Sequence, residues 1–310
     1  MIIFVVQLRG NHLSSPITVS QSIVMGLLQG VSELFPISSL GHSVVLPALL
    51  GWNNLVAEQQ AKNSYFLTFV VGLHVATAAA LFVFFRRDWY RIIGGLFKSI
   101  KTRSIDNKYQ KLGWLLVVAT IPAGLVGVAF DHILRKLFAK PLDASIFLIV
   151  NGIILFIGEA RIKRQVNAKS TGAIGAHSTT LEARPLSDMK FTEAVTIGVA
   201  QIFALFAGIS RSGITMVAGL FRGLDHEDAA RFSFLLATPI IFAAGVYKLP
   251  SLLKHSAAPI RGDVLIGSIA AFIAAFLSVA FLSRYFKTKT LNPFAIYSIV
   301  VGLALVIRFH

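Results

Sequence analysis

Two stretches of the sequence interrupt apolar segments with the same kinds of residue. Gln29 to His42 reads QGVSELFPISSLGH, and Gln201 to Thr215 reads QIFALFAGISRSGIT. Each stretch places glycine, serine and an ionisable residue in the middle of a segment that is apolar on both sides. A helix that enters lipid cannot simply stop there, because unpaired backbone groups in hydrocarbon cost several kcal/mol each. We therefore interpret 17–50 and 191–224 as two re-entrant helix–loop–helix hairpins.

The composition places these stretches in a membrane protein. Of 310 residues, 55% are hydrophobic and 14% are charged, and the mean hydropathy is +0.73. A soluble domain has about 45–50% apolar and about 25% charged residues. Six further apolar segments approach the roughly 20 residues that cross a bilayer. These segments are 65–85, 112–130, 144–158, 232–247, 264–283 and 291–307. The sequence predicts an all-α polytopic membrane protein with about six transmembrane helices plus the two hairpins.

The charge balance fits the same class. The chain has 29 Lys and Arg against 14 Asp and Glu, a net charge of +15. In a soluble protein this excess would suggest nucleic acid, but positive-inside loops and contact with anionic membrane lipids explain it better here. No nucleic-acid motif accompanies it, and we predict no such partner. The absence of cysteine excludes disulfides, thiolate metal sites and cysteine nucleophiles.

The two interrupted stretches align with each other at a constant offset of 172. Identical pairs include Gly26 with Gly198, Gln29 with Gln201, Ile37 with Ile209, Ser38 with Ser210, and Gly41 with Gly213. Chance identity among common residues is the alternative, but the serine and glycine matches lie at the break in both copies. Interrupted segments at corresponding positions of two halves are typical of a membrane binding site.

The repeat predicts how the chain is organised. We expect one membrane domain, 1–310, with a first repeat at 17–158 and a second at 191–310, joined by a polar linker at 159–190. Eight basic residues lie in 86–111, six in 159–190 and three in 131–143. The positive-inside rule places the first two of these segments in the cytoplasm. The first hairpin then enters from outside and the second from inside, as an inverted repeat requires.

The first break carries candidate catalytic groups. Gln29 and Glu33 are four residues apart and share one face of a helix. Ser38, Ser39 and His42 follow the proline that ends this helix. Ionisable groups at membrane depth are expensive and are functional by default. Together these residues can supply a base, a nucleophile and hydrogen-bond donors.

The second break supplies a cation. Arg211 lies in an otherwise apolar region, where it needs an anion, and its planar fork suits phosphate oxygens. The small or hydroxylic residues around it are Gly208, Ser210, Ser212, Gly213 and Thr215. The two glycines allow the backbone N–H groups to approach the same anion. An Arg211–Glu33 ion pair that holds the hairpins together is the alternative left open.

His74 is the one histidine inside the span 65–85. A lone histidine on a helix often only hydrogen-bonds a neighbour. We therefore assign it a structural role.

The two motifs resemble those of the undecaprenyl-diphosphate phosphatase family, bacterial membrane enzymes associated with bacitracin resistance. The first signature, Glu or Gln-x-x-x-Glu followed by Pro-x-Ser-Ser-x-Gly-His, appears as Gln29 to His42. The second, Pro-Gly-x-Ser-Arg-Ser-Gly-x-Thr, appears as Ala207 to Thr215, with alanine in place of the first proline. The stretch from Ala229 to Leu236 is also typical. Because the first motif begins with glutamine, Glu33 is its only carboxylate.

The resemblance implies hydrolysis of undecaprenyl diphosphate to undecaprenyl phosphate, the carrier lipid of cell-wall synthesis. It implies the bacterial inner membrane as location, a site facing the outer side, and a divalent metal, Mg²⁺ or Ca²⁺. The catalytic residues it implies are Glu33, Ser39, His42 and Arg211. The substrate-binding residues are Gln29, Ser38, Gly208, Ser210, Ser212, Gly213 and Thr215, and the metal ligands are Glu33 and Gln29. Whether Ser39, His42 or water is the nucleophile stays open, as does a homodimer.

Other functions compete with this interpretation. A transporter or flippase for the same prenyl phosphate lipid would also use inverted repeats with broken helices. The acid-phosphatase-like membrane phosphatases carry a Lys-x6-Arg-Pro element, which this sequence lacks. An ion channel would need a ring of repeated carbonyl or charge motifs. Release of inorganic phosphate separates an enzyme from a carrier.

Overall fold

The structure, a computed structural model, describes residues 16–59, 64–130, 140–170, 185–253 and 255–310, and the regular secondary structure of these residues is helical. In chain order the helices are α1 (Val19–Ser32), α2 (Ser39–Leu49), α3 (Asn53–Gln59), α4 (Tyr65–Phe84), α5 (Arg86–Thr102), α6 (Lys108–Ala129), α7 (Pro141–Ser170), α8 (Phe191–Ile202), α9 (Arg211–Phe221), α10 (His226–Leu253), α11 (Arg261–Tyr285) and α12 (Asn292–Phe309). These residues include no β-strand. The all-α prediction is confirmed.

Six helices in the described ranges are long and apolar enough to cross a membrane. Their spans are Tyr65–Phe84, Lys108–Ala129, Pro141–Lys163, His226–Tyr247, Ala258–Tyr285 and Asn292–Phe309. Each overlaps one of the six predicted spans, which confirms a multi-pass membrane protein. The helix α7 continues to Ser170, so the predicted linker 159–190 begins as helix. Residues 171–184 of that linker and 131–139 of the predicted outer loop lie outside the described residues.

The helix α11 has one face that contacts lipid and another that contacts protein. Large exposed side chains recur at every fourth residue: Leu265, Ile269, Ile273, Leu277 and Phe281. Its buried side consists mainly of small residues, including Gly267, Ala271 and Ala275. Lipid is as apolar as these side chains, so helices in a membrane associate through close packing of small residues. The large residues therefore face lipid, and the small ones let other helices approach.

The two interrupted stretches each form a pair of short helices. In the first pair α1 has 14 residues and α2 has 11. At 1.5 Å per residue they are about 21 Å and about 17 Å long, too short for the roughly 30 Å hydrocarbon core. In the second pair α9 begins and ends 172 residues after α2, so the two have equal length. Entry of each pair into the membrane as a hairpin, and the inverted repeat, stay predictions.

The first helix of each pair packs closely on a spanning helix. The helix α1 lies against α11, and α8 lies against α6. A Cβ atom added to Gly26 would overlap the carbonyl oxygen of Gly267, and one added to Gly198 would overlap the carbonyl oxygen of Ala119. Gly26 and Gly198 are separated by the offset of 172. Equivalent glycines therefore make the same kind of close approach in both halves.

These contacts predict a cost for any side chain at the two positions. Gly26→Ala and Gly198→Ala are each expected to lower the free energy of unfolding by about 1–3 kcal/mol, because the new methyl group is forced against backbone atoms. Gly124→Ala in α6 is the matched control, since its Cβ would meet nothing within 4 Å. Thermal unfolding in detergent measures the difference. Equal melting temperatures in all three variants would contradict the close packing.

Candidate active site

The two breaks meet and interlock. The Gly208 N–H donates to Ser38 Oγ at 3.1 Å, and Ser212 Oγ donates to the Phe35 carbonyl at 3.4 Å. Gly208 has φ +111°, a conformation that favours glycine. A Cβ atom on Gly41 would lie only 2.9 Å from Gly208 Cα. Glycine at both positions therefore allows the two loops to touch.

Equivalent serines begin the second helix of each pair. Ser38 caps α2 by accepting from the Gly41 N–H at 3.3 Å, and Ser210 caps α9 by accepting from the Gly213 N–H at 3.1 Å. The N–H groups of Gly208 and Gly213, which we expected to approach an anion, are therefore engaged by serine hydroxyls. Other N–H groups of each first turn have no partner within their own helix. Two positive helix ends at the meeting breaks favour an anion there.

Glu33 is the centre of a buried hydrogen-bond network. The carboxylate is 7% exposed and follows the last residue of α1. Its Oε2 atom accepts from Ser39 Oγ at 2.5 Å and from Gln29 Nε2 at 3.1 Å, and lies 3.3 Å from His74 Nε2. Its Oε1 atom accepts from Arg211 Nε at 3.3 Å and Nη2 at 3.1 Å. Four predicted site residues from both breaks are thus in direct contact.

Arg211 forms the ion pair that the sequence left open, and it also retains capacity for an anion. Besides Glu33, its guanidinium donates through Nη1 to the Ser233 carbonyl at 3.2 Å. A guanidinium has five N–H donors. Three are engaged, and the other two have no acceptor among the residues that the structure describes. Arg211 can therefore hold Glu33 and a phosphate oxygen at the same time.

Ser39 and His42 have different surroundings. The Ser39 hydroxyl donates to Glu33, whereas His42 Nδ1 lies 2.7 Å from the Ser38 carbonyl and His42 Nε2 lies 2.9 Å from the Tyr297 hydroxyl. The His42 and Tyr297 rings stack with their centroids 5.8 Å apart. Within the described part of the chain, His42 has no hydrogen bond to Ser39 or Glu33. The geometry gives Ser39, and not His42, a base in contact.

The other predicted binding residues with hydroxyl groups form hydrogen bonds around the backbone of Arg211. Thr215 Oγ1 donates to the Arg211 carbonyl at 2.8 Å and lies 2.7 Å from Ser233 Oγ. Ser212 Oγ lies 3.0 Å from Ser210 Oγ. All these hydroxyl groups are buried and are engaged within the protein. The Thr215–Ser233 contact joins α9 to α10, and the other contacts lie within the first turn of α9, which carries Arg211.

His74 belongs to this network, although we assigned it a structural role from the sequence. Its Nδ1 lies 2.8 Å from the Val70 carbonyl, and a carbonyl can only accept, so Nδ1 carries the hydrogen. Its Nε2 is thereby directed at Glu33. A titratable residue inside an apolar span was the available signal.

Asn151 of α7 is a second residue that the sequence analysis missed. Its Nδ2 donates to the Pro36 carbonyl at 2.9 Å, and its Oδ1 accepts from the Ser210 N–H at 2.9 Å. The side chain is fully buried and connects the two breaks. It is the only amide side chain in the predicted span 144–158, and that isolation could have singled it out.

The site can contribute ligands to a divalent cation. Gln29 Oε1 is buried without a hydrogen-bond partner among the described residues, next to the Glu33 carboxylate. No cluster of three or more His, Cys, Asp or Glu suited to a metal occurs in those residues. Mg²⁺ commonly binds one or two carboxylates together with water and substrate phosphates. Gln29 and Glu33 therefore fit a cation shared with a phosphate, but not one held by protein alone.

Comparison with known proteins gives one consistent result. The family described as "Bacitracin resistance protein BacA" matches residues 22–304. "Undecaprenyl-diphosphatase 2" of Frankia alni is 49% identical over 94% of this chain and 98% of its own length. "Undecaprenyl-diphosphatase" of Mycolicibacterium paratuberculosis is 51% identical over 91% of this chain and 94% of its own length. Both interrupted stretches lie within the matched range, and the chain belongs to the bacitracin resistance protein BacA family.

Proposed function

We propose that this protein hydrolyses undecaprenyl diphosphate to undecaprenyl phosphate and inorganic phosphate. The observation that supports this most strongly is the contact of the Ser39 hydroxyl with Glu33, whose other oxygen binds Arg211. Phosphoryl transfer depends on a positioned nucleophile and on cationic groups that stabilise the charge of the transferred group. Relatives about half identical to this chain are named for the same activity.

The family and the fold also support a proposal for where the reaction takes place. We place the prenyl tail among the spanning helices and the diphosphate at the meeting point of the two breaks. In the bacterial inner membrane, with the site facing the outer side, the reaction would regenerate the carrier lipid for cell-wall synthesis. The same activity would account for the bacitracin resistance in the family's description.

In the first step Ser39 Oγ attacks the terminal phosphorus. The bond from that phosphorus to the bridging oxygen breaks, and undecaprenyl phosphate leaves with the bonding electrons. The Ser39 proton passes to Glu33 Oε2, with which it is already hydrogen-bonded. The two available N–H groups of Arg211 and the first turns of α2 and α9 stabilise the charge on the transferred group.

In the second step water attacks the phosphorylated serine. Glu33, having lost its proton to solvent, accepts one proton from this water and returns it to the Ser39 oxygen as inorganic phosphate leaves. The overall reaction consumes one water molecule and releases one proton. His42, one helical turn after Ser39, keeps the predicted role of orienting this water.

We assign His74 a positioning role through Glu33. His74→Gln is expected to lower kcat about tenfold to a hundredfold with little change in KM, because a hydrogen bond to a charged group contributes about 1.5–3 kcal/mol. It should also change the pH profile of kcat, since an imidazole that titrates beside the base is removed. His226→Gln is the control, because His226 contacts a different buried carboxylate, Glu159, at 2.6 Å. Equal losses in both variants, or an unchanged pH profile in His74→Gln, would contradict the role.

Gln29 and Glu33 would hold Mg²⁺ or Ca²⁺, which when bound supplies positive charge to the phosphate oxygens. Chelation by EDTA is therefore expected to lower phosphate release, and adding either ion should restore it. Unchanged turnover in excess EDTA would contradict a metal requirement, and would leave charge stabilisation to Arg211 and the helix ends.

The function itself is tested by incubating purified protein in detergent with undecaprenyl diphosphate and measuring inorganic phosphate. The proposal requires release of phosphate and formation of undecaprenyl phosphate in equal amounts. A carrier for the same lipid is the second candidate, favoured by the two pairs of short helices, whose second members have equal length. It would bind the lipid and release no phosphate.

A further inference from the structure

The helix α5 has an apolar stripe that no other part of the described protein covers. The helix α5 begins at Arg86, two residues after α4 ends, and so starts where a spanning helix leaves the membrane. Its buried side includes Trp89 and Ile92. Beside that face lie large exposed residues spaced three and four apart: Tyr90 at 84%, Ile93 at 39%, Phe97 at 71% and Ile100 at 60% exposed.

This spacing places the four residues on one face of the helix. Contiguous apolar surface of this kind is unfavourable in water and usually marks contact with a membrane or partner. A helix with one apolar face and many basic residues beside it lies in the plane of the membrane interface. The position of α5 directly after a spanning helix indicates that arrangement here.

A cavity of about 680 Å³ opens beside the stripe. It lies between the end of α4, the first four turns of α5 and the start of α6. Basic side chains from α5 and aromatic rings line it: Phe82, Arg86, Tyr90, Arg91, Lys98 and Tyr109. A Cβ atom added to Gly94, which also lines it, would meet nothing within 4 Å. The cavity has room for a headgroup.

The three cations of this cavity have no carboxylate counter-ion in the part of the chain that the structure describes. Arg91 Nη1 donates to the Tyr109 hydroxyl at 2.6 Å, and Arg86 Nη1 donates to the Val83 carbonyl at 3.3 Å. Arg86, Arg91 and Lys98 form no ion pair with a carboxylate among the described residues. The acidic residue of the first turn of α5, Asp88, is paired with Arg231 on another helix. The cavity therefore concentrates positive charge that an anion would balance.

We propose that this cavity binds the phosphate headgroup of an anionic membrane phospholipid, with the acyl chains lying along the Tyr90–Ile100 stripe. The arginine forks suit phosphate oxygens, and the aromatic rings of Tyr90 and Tyr109 suit the boundary between headgroup and acyl chain. A free phosphate would use the cations alone, so the adjacent apolar stripe favours a lipid. The site is separate from the Glu33 network, because none of its residues contacts that network.

The test uses purified full-length protein in detergent and native mass spectrometry of bound lipid. Phosphatidylglycerol is titrated beside phosphatidylcholine, which has no net charge. The variant replaces Arg86, Arg91 and Lys98 with glutamine. The control variant replaces Lys101, Arg103 and Lys289, which lie outside the cavity, with glutamine. Both variants therefore lose three positive charges. Unchanged phosphate release from the lipid diphosphate shows that each variant is folded.

Wild type and control are expected to bind phosphatidylglycerol at least about tenfold more tightly than phosphatidylcholine. The cavity variant is expected to lose that preference, since each cation near a membrane surface contributes roughly a fivefold factor in affinity. If the triple variant does not fold, Lys98→Gln should still weaken binding by roughly fivefold.

Equal loss in control and cavity variants would overturn the site, because net charge alone would then explain binding. Equal binding of the two phospholipids would overturn it as well. Displacement of phosphatidylglycerol by millimolar inorganic phosphate would identify a site for a free anion and would overturn the assignment to lipid.

Discussion

Ser39→Ala is expected to reduce phosphate release from undecaprenyl diphosphate by at least about a thousandfold, because it removes the proposed nucleophile and leaves only direct attack by water. Binding of the lipid should change little, since Arg211 and the helix ends remain. The measurement is initial phosphate release at saturating lipid, together with lipid binding on the same preparation.

Ser43→Ala is the matched control for this variant. Ser43 lies on the same helix, is 1% exposed, and its hydroxyl has no hydrogen-bond partner in the described ranges. It should release phosphate at the wild-type rate. If Ser39→Ala is as active as Ser43→Ala, the hydroxyl is not the nucleophile, and attack by His42 or by water directed by His42 becomes the mechanism to test with His42→Ala.

Arg211→Ala is expected to reduce kcat by about a hundredfold to a thousandfold, the usual effect of removing one donor to a developing oxyanion. It should also destabilise the protein, because a buried carboxylate that loses its partner costs up to about 3–5 kcal/mol. His74 still contacts Glu33 and offsets part of that cost. Arg211→Lys keeps the charge without the planar fork, and should restore stability more than turnover.

Turnover and thermal unfolding must therefore be measured on the same Arg211 variants. Arg231→Ala is the control, because it breaks another arginine–carboxylate pair, with Asp88 at 2.9 Å, away from the site. This control should keep its turnover. A fully active Arg211→Ala would show that the guanidinium only holds the two breaks together.

The features that the sequence predicted best are those that depend on local composition. Runs of about 20 apolar residues leave a chain few alternatives to a membrane helix, so all six spans were predicted. The two breaks were visible because glycine, serine and charge interrupt such runs. Their meeting brings Glu33 and Arg211 together, and the sequence analysis had raised that pair as the alternative to a phosphate clamp.

What escaped prediction depends on contacts between distant segments. His74 and Asn151 are single polar residues in apolar spans, and the sequence does not show which neighbour each one meets. Tyr297 contacts His42 across 255 positions of sequence. The apolar stripe of α5 was hidden for another reason: eight basic residues in 86–111 indicated only a cytoplasmic loop. Its Tyr, Ile and Phe residues can be recognised as one exposed apolar face only when the helix and its buried face are known.

The pairing of Ser39 with Glu33 is tested most directly by following the terminal phosphorus through a single turnover. Undecaprenyl diphosphate labelled on that phosphorus is mixed with excess protein and quenched in acid at successive times. We predict that label appears on the protein at Ser39 before inorganic phosphate forms, and that Ser39→Ala protein stays unlabelled. Release of labelled phosphate without delay, from wild-type protein that carries no label at any time, would contradict Ser39 as the nucleophile.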